Sequence, residues 1–264
     1  MSATLKFLAF DTSTDALSIA LSDGERTWSF EGAGGAQASA HLIPAVLDLL
    51  AQAGWTLSQL DAIVFGRGPG SFTGLRTACA VAQGLAFGAG VPVLPVDTLL
   101  AVAEQARGLQ PPLVDTEATL CVLALLDARM GEVYSAAYEW QGPASGWRML
   151  QGLQVGPPET VALEPALHSR VALCAGNALA VYGERLSALL PAGAPHVQAL
   201  PTAQALLRLA PALFQAGLAV PPEQAMPLYV RDKVAYTSAE REAMKAAQAL
   251  QVTAAGRADP PSVP

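Results

Sequence analysis

One pattern occurs twice in this chain of 264 residues. A short, largely apolar run at residues 5–10 ends at Asp11, and a second run at residues 120–126 ends at Asp127. An apolar run that stops at an acidic residue is typical of a buried strand that emerges at the edge of a sheet. In both places two further strand-like segments follow, and helical and strand-like segments then alternate. Each half therefore has the predicted order βββαβαβα.

Hydrophobic periodicity sets the bounds of these elements. In the first half we predict strands at 5–10, 16–22, 26–31, 62–65 and 91–96, and helices at 40–53, 74–89 and 98–107. In the second half we predict strands at 120–126, 132–138, 147–155, 171–175 and near Val197, and helices at 159–168, 178–190 and 202–216. Asp23 and Gly24 favour a tight hairpin turn, and Asp97 or Thr98 is predicted to cap the third helix.

Two such halves predict a duplicated α/β architecture with a cleft between them. Actin, sugar kinases and the Hsp70 ATPase domain share this layout, so the predicted fold is the duplicated actin-like ATPase fold, of the ribonuclease H-like class. The predicted domains are residues 1–108, residues 109–231 and a partly disordered tail at 232–264. We expect the helix near 202–216 to pack back on the first half.

Charge and composition exclude several functions. Only 14% of the residues are charged and the net charge is −7, so the chain lacks the basic surface that grips a phosphate backbone. Residues 77–96 carry no charge, but glycines and prolines interrupt them, which favours a helix, a turn and a buried strand over a membrane span. The N-terminus lacks the features of a signal peptide, which predicts a cytoplasmic protein.

No metal site is predicted, because the cysteines and histidines lie far apart in the sequence and have no ligand spacing. These residues are Cys79, Cys121, Cys174, His41, His168 and His196. We expect the three cysteines to be small core residues.

A glycine-rich loop at residues 66–74, with the sequence GRGPGSFTG, lies between a predicted strand and a predicted helix. Backbone N–H groups at a helix N-terminus can face an anion, but the loop matches neither the Walker pattern nor GxGxxG. The alternative is a tight turn with Ser71 or Thr73 as helix N-cap. The candidate residues for a vestigial nucleotide or phosphate site are Asp11, Thr12, Ser13, Gly68, Gly70, Ser71 and Asp127.

Two interpretations of the strand-end acids remain open. Asp11 and Asp127 could hold Mg²⁺ through water, or they could cap their turns.

The helices at 40–53 and 74–89 also allow two interpretations, because both have few polar positions. Each is either covered all round by its own domain or presents small apolar residues to another protein.

Four stretches, at residues 8–14, 66–76, 127–134 and 227–231, resemble the TsaB (YeaZ) family, and the resemblance spans residues 5 to about 236. It implies a non-catalytic scaffold with no catalytic residues, in the machinery that makes N6-threonylcarbamoyladenosine (t6A) at position 37 of tRNAs reading ANN codons. The implied partners are the transferase TsaD, the ATPase TsaE and, in isolation, a second copy of the chain. tRNA is reached only through the complex, and no membrane is involved. No cofactor of its own is implied, and ATP or ADP with Mg would act only at the level of the complex.

The resemblance also implies that the helices at 40–53 and 74–89 form the surface for TsaD and for the homodimer. The residues assigned to it are Leu42, Val46, Leu49, Arg76, Cys79, Ala82, Gln83 and Ala86.

The sequence departs from familiar patterns at two points. Family members often have a histidine where this chain has Ala38, and His41 stands three residues later. Kinases on this fold generally have glycine at the position of Ser13, which lets the backbone approach a phosphate closely.

The alternative function is an independent small-molecule kinase or ATPase that uses Asp11 and Asp127. A protease is disfavoured because no Ser/His/Asp or Cys/His arrangement is visible.

Overall fold

The computed structural model describes residues 4–110, 119–187, 190–191 and 193–230. In chain order its elements are β1 (Phe7–Asp11), β2 (Ala16–Ser22), β3 (Thr27–Ala33), α1 (Ala38–Ala53), β4 (Ala62–Gly68), α2 (Phe72–Ala89), β5 (Val93–Asp97), α3 (Thr98–Gly108), β6 (Leu120–Arg129), β7 (Glu132–Trp140), β8 (Trp147–Gly156), α4 (Pro165–His168), β9 (Val171–Gly176), α5 (Ala178–Tyr182), α6 (Glu184–Ser187), β10 (His196–Val197) and α7 (Ala203–Gln215). This order confirms the predicted βββαβαβα pattern in both halves. The predicted tail, residues 232–264, lies outside the described residues.

The two five-stranded sheets have the same topology. The first has the strand order β3-β2-β1-β4-β5, and the second has the equivalent order β8-β7-β6-β9-β10. In each sheet the first three strands form an antiparallel meander. The fourth strand pairs in parallel with the first, and the fifth pairs in parallel with the fourth. The carboxyl ends of the parallel strands therefore meet at one edge of each sheet, which is where open α/β sheets bind ligands.

The central strands are apolar because both of their faces are covered. In β1, Leu8 and Phe10 face the core beneath α1 and α2, whereas Phe7 and Ala9 face α7 on the other side. Side chains along a strand alternate between the two faces, so this single run of apolar residues belongs to two cores.

The helices between the two sheets are exchanged between the halves. α3, from the first half, packs Leu99, Val102 and Ala106 against the second sheet. α7, from the second half, packs Leu206 and Ala210 against the first sheet. Each half therefore completes the hydrophobic core of the other.

Three predicted elements differ in the structure. The predicted helix at 159–168 is a 3-10 turn at Pro158–Thr160 followed by the single turn of α4, because Pro165 starts a new helix and disfavours the α conformation at the residue before it. The predicted helix at 178–190 is divided into α5 and α6 at Gly183, whose φ is +51°.

The predicted tight turn at Asp23 and Gly24 is a longer loop. The strand pairing closes at Ser22 and Thr27, and Asp23 Oδ1 accepts hydrogen bonds from the backbone N–H groups of Glu25 and Arg26. Of the residues in this loop only Gly24 adopts a positive φ. The acid therefore supports the loop through its side chain.

After α7 the chain returns to the first half as an extended segment, residues 217–230, which we call the C-terminal strap. Val220 forms two backbone hydrogen bonds with Val93 of β5. The carbonyl of Ala225 accepts hydrogen bonds from Gln83 and Cys79 of α2, and the N–H of Leu228 donates to the carbonyl of Arg67. The strap thus fastens α2 and the glycine-rich loop to the sheet edge.

The uncharged segment at 77–96 forms the predicted helix, turn and buried strand. α2 ends at a left-handed Gly90, and β5 follows. Within the described part of the chain, no helix combines the length and the apolar character needed to span a membrane.

Candidate functional site

The first strand-end turn is closed by its own hydrogen bonds. Asp11 is 1% exposed, and its Oδ1 accepts from the backbone N–H of Ser13 at 2.8 Å and from the Ser13 hydroxyl at 2.6 Å. Thr12, which is fully buried, donates its hydroxyl to the carbonyl of Gly74 at 2.7 Å. The polar groups of this turn therefore bind the protein itself.

The glycine-rich loop packs directly on this turn. The N–H of Ser71 donates to the carbonyl of Ser13 at 2.7 Å. A Cβ on Gly70 would lie 2.6 Å from Ser13 Cβ, and a Cβ on Gly74 would overlap the carbonyl oxygen of Thr12. The glycines thus permit a close approach between two parts of the chain.

Ser71 caps α2 by accepting a hydrogen bond from the N–H of Gly74 at 3.5 Å, which confirms the interpretation of the loop as a capped turn. Asp97 makes no side-chain cap for α3, although it was predicted as one candidate. Its carboxylate binds Arg67 Nε at 2.6 Å instead, and the hydroxyl of Thr98 accepts a hydrogen bond from the N–H of Gly68 at 3.1 Å.

One carboxylate oxygen of Asp11 has no partner in the described structure. Its Oδ2 is buried and lies against the Cα of Gly66, close enough that a Cβ there would overlap it. Burial raises the pKa of Asp11 from 3.8 to about 6, although the hydrogen bonds from Ser13 oppose the shift. Asp11 is therefore a poorly solvated, internal acid rather than an open ligand for a cation.

The second strand-end turn is also internally bonded. Asp127 Oδ1 accepts from the N–H of Arg129 at 2.8 Å and from the hydroxyl of Tyr182 at 2.7 Å, and the N–H of Asp127 donates to Asn177. Burial, together with the hydrogen bond to Asp127, raises the pKa of the Tyr182 hydroxyl. Asp127 thus caps its own turn, as one of the two interpretations predicts.

Arg129 brings the two turns together. Its guanidinium binds Asp15 beside the first turn and lies 3.6 Å from Asp127 Oδ2 in the second. Arg129 and Met130 both have left-handed backbone conformations, with φ of 60° and 56°. This conformation is uncommon for residues other than glycine, and here it belongs to the hairpin between β6 and β7.

The residues of these turns fit a nucleotide phosphate with Mg²⁺ poorly. The N–H of Ser13 is bound to Asp11 and the N–H of Ser71 is bound to Ser13, so these two donors are not free to face an anion. The structure brings together the predicted residues Asp11, Thr12, Ser13, Gly68, Gly70 and Ser71, and it places Asp127 in the opposite turn. Together they form a closed structural contact.

Most of the side chains predicted for the partner surface lie in the core of this chain. The residues concerned are Leu42, Val46, Leu49, Cys79, Ala82 and Ala86, each at most 5% exposed in the cluster beneath α1 and α2. Both helices pack these positions against the first sheet, so none of them is available to a partner. The assignment of these six side chains is therefore corrected. Gln83 is half-buried and uses its amide to bind Ala225 within the chain.

The opposite faces of the same helices are exposed and largely apolar. α1 and α2 contact each other, and we call their exposed residues the docking face. It includes Ile43 and Leu47 of α1 and Arg76, Ala80, Gly84 and Phe87 of α2, together with polar residues such as His41 and Asp48. Phe87 is 80% exposed and Leu47 is 53% exposed, so each helix turns a large apolar side chain away from the core.

The histidines and cysteines fall at separate places. His41 is exposed on α1 and Ala38 is buried at the start of that helix, so His41 does not occupy the environment of position 38. All three cysteines are buried free thiols, as predicted. In the described ranges no group of three or more His, Cys, Asp or Glu side chains is placed to hold a metal ion.

Sequence reasoning missed the contribution of the C-terminal strap to this region. Tyr229 accepts a hydrogen bond from Arg76 Nε, and the carbonyl of Leu228 lies against Gly68. The stretch at 227–231 was recognised as part of the resemblance, but nothing in its local pattern indicates which helix it contacts.

Known proteins that are similar to this chain carry names that refer to one tRNA modification. The family model described as "TsaD: tRNA N6-adenosine threonylcarbamoyltransferase" matches residues 35–239. The tRNA threonylcarbamoyladenosine biosynthesis protein TsaB of Escherichia coli (strain K12) is 34% identical over 243 residues, which cover 88% of this chain and 97% of that protein. The protein of the same name from Haemophilus influenzae is 35% identical over 239 residues, which cover 88% and 96%. The solved structure of YeaZ from Pseudomonas aeruginosa has a TM-score of 0.74 and 39% identity, and it covers 86% of this chain and 100% of that chain.

Two sheets of the same order, each with a turn at the end of its first strand, define a duplicated α/β protein of the actin-like ATPase fold, in the ribonuclease H-like class. This is the predicted fold. Within that class the chain belongs to the TsaB (YeaZ) family and also matches the family model of TsaD.

Proposed function

We propose that this chain is a non-catalytic subunit for t6A formation at position 37 of tRNAs that read ANN codons. It binds a TsaD-type transferase, and TsaE joins that pair in the cytoplasm. The names of its relatives in Escherichia coli and Haemophilus influenzae support the pathway. The observation that carries the non-catalytic role is the closed first strand-end turn.

The closed turn supports a scaffold because its hydroxyl groups and Asp11 Oδ1 are already bound within the chain. Ser13, Thr12 and Ser71 all bind within the chain, and Asp11 is buried with a raised pKa. Transfer chemistry needs donors and charges that are free to face the developing charge of a substrate. A rigid, internally bonded turn offers a surface of fixed shape instead of free donors and charges.

The docking face supports a protein partner. Obligate and stable interfaces use apolar surface with small residues that allow close approach and large side chains that fill pockets. Ala80 and Gly84 are the small residues of this face, and Phe87 and Leu47 are its large side chains. The same face serves for self-association when the chain is alone.

Nucleotide and tRNA enter this proposal only through the complex. The net charge of −7 gives this chain little affinity for a polyanion, so the partner holds the tRNA. ATP or ADP with Mg²⁺ would act where partner subunits complete a site.

The test is reconstitution of tRNA modification from purified components. TsaD and TsaE are incubated with tRNA, threonylcarbamoyl-AMP and ATP, with and without this chain, and t6A is measured by mass spectrometry of the nucleosides. We expect modification to depend on the chain and to remain with Asp11→Asn, which removes the charge of the closed turn. Modification that proceeds equally without the chain would overturn the proposal.

A calorimetric titration of the isolated chain with Mg·ATP addresses the kinase or ATPase alternative. We expect no binding at millimolar nucleotide. Binding that Asp11→Asn weakens would support an independent enzyme instead.

A further inference from the structure

Arg76 differs from the other arginines in the described part of the chain, because it pairs with no carboxylate. The others each have an Asp or Glu partner: Arg26, Arg67, Arg107, Arg129, Arg148, Arg170, Arg185 and Arg208. In a chain of net charge −7, a guanidinium that pairs with none of the described acids is unusual. Arg76 lies on α2, in the docking face.

The side chain of Arg76 is nevertheless held in place. Its guanidinium lies over the ring of Phe72 at 3.9 Å from the ring centre, and its Nε donates to the hydroxyl of Tyr229 at 3.1 Å. The rings of Phe72 and Tyr229 lie 5.3 Å apart, so strap and helix form one cluster. These contacts use one face and one of five donors, and no described residue accepts a hydrogen bond from the Nη atoms.

We propose that Arg76 is an anchor for a carboxylate side chain of the TsaD-type partner, bound in a bidentate manner by the free Nη donors. This inference rests on the proposed function. Phe72 and Tyr229 are positioning residues, because they hold the planar guanidinium before the partner arrives and so reduce the entropy lost on binding. Arginine and carboxylate groups match in geometry, which makes this pair selective as well as strong.

The surroundings favour a carboxylate of a protein over a phosphate of tRNA. A phosphate backbone is gripped by several unpaired cations together, but the other described arginines each pair with an acid. The exposed side chains that contact Arg76 are aromatic, namely Phe72 and Tyr229. One guanidinium within such a surface is the arrangement found at protein interface hot spots.

The experiment measures the affinity of the full chain for purified TsaD-type protein by biolayer interferometry at low and high salt. The variants are Arg76→Gln, Arg76→Lys and Tyr229→Phe, and Arg185→Gln is the control because Arg185 lies in an exposed ion pair with Glu159. We expect Arg76→Gln to raise the Kd roughly 30-fold or more and to remove most of its salt dependence. Arg76→Lys should also bind more weakly because it lacks the planar fork, and Arg185→Gln should bind like wild type. Equal melting temperatures confirm that the exposed substitutions leave the fold intact.

Each other outcome has a distinct meaning. If the wild-type chain does not bind the TsaD-type protein, the proposed function fails, and this inference with it. If wild type binds and Arg76→Gln binds equally well, only the inference fails. A variant that binds the partner normally but lowers retention of tRNA by the complex would indicate a phosphate contact. A variant that changes only the self-association of the chain would indicate that the carboxylate belongs to a second copy. Both results would overturn the inference.

Discussion

At the scale of single residues, the contact between the first strand-end turn and the glycine-rich loop depends on the absence of side chains. Gly74 lies within the first turn of α2, directly over the carbonyl of Thr12. Gly84, on the same helix, has nothing within 4 Å of the place where a Cβ would be. Within α2, position 74 therefore requires glycine, whereas position 84 has room for a side chain.

We predict that Gly74→Ala destabilises the protein by about 2 kcal/mol or more, because backbone atoms must move to admit the methyl group. Gly84→Ala should stabilise it by about 0.5–1 kcal/mol, since alanine is the better helix former. Urea denaturation followed by circular dichroism measures both. Equal stabilities for the two variants would contradict the close packing of turn and loop.

Asp11 should make stability depend on pH. Burial raises its pKa from 3.8 to about 6, so the folded protein binds this proton more tightly than the unfolded chain. Its contribution to stability is therefore complete below the unfolded value and is lost as the pH rises through about 6. We predict that the stability of Asp11→Asn relative to wild type rises by about 2 kcal/mol between about pH 4 and pH 7. Urea denaturation of both proteins at each pH provides the measurement, and a constant difference would show that Asp11 has no raised pKa.

At the scale of elements, α2 explains why the segment at 77–96 carries so little charge. Its inward side packs Ala78, Ala82 and Ala86 on the sheet, so these residues belong to the core. Only the outward side, with Ala80 and Phe87, is left for a partner. The inward side of α2 is therefore covered by its own domain, as one interpretation predicts. Its outward side leaves small and apolar residues for another protein, as the other interpretation predicts.

We predict that Ala82→Arg unfolds the protein or lowers its melting temperature strongly, because a buried charge without a partner is costly. Ala80→Arg should keep the wild-type melting temperature and abolish assembly with the TsaD-type partner. Scanning calorimetry and size-exclusion chromatography with light scattering separate the two effects. Normal assembly by Ala80→Arg would place the interface elsewhere.

At the scale of the whole molecule, the two halves share their cores and one buried ionic cluster. Glu104 of α3 is 1% exposed and accepts hydrogen bonds from Arg107, from Arg208 of α7 and from Trp147 of β8. The carboxylate thus joins elements of both halves. Its negative charge faces two guanidinium groups.

We predict that Glu104→Gln lowers the free energy of unfolding by about 3 kcal/mol, because the buried Arg107 and the partly exposed Arg208 both lose the negative charge that faces them. Glu159→Gln removes the exposed pair with Arg185 and should have no measurable effect. Urea denaturation of both variants tests this. A small effect of Glu104→Gln would mean that contacts other than this ionic cluster hold the halves together.

Local patterns were sufficient for much of the fold. The strand and helix order, the cap at Ser71 and the duplication at Asp11 and Asp127 could be predicted, because periodicity, caps and turns act within a few residues of the chain. The failures at 159–168 and 178–190 also have local causes, in Pro165 and Gly183, whose effects outweighed a weak helical pattern.

Contacts between distant parts of the chain decided the site. The resemblance assigns Leu42 and Ala82 to a partner surface, but both helices have few polar positions, and only packing on the sheet distinguishes the inner side from the outer one. The closed turn at Asp11, the exchange of α3 and α7 and the clamp on Arg76 likewise join positions far apart in sequence. Periodicity describes one element at a time, whereas burial and pairing depend on which elements meet, and that is a property of the folded chain alone.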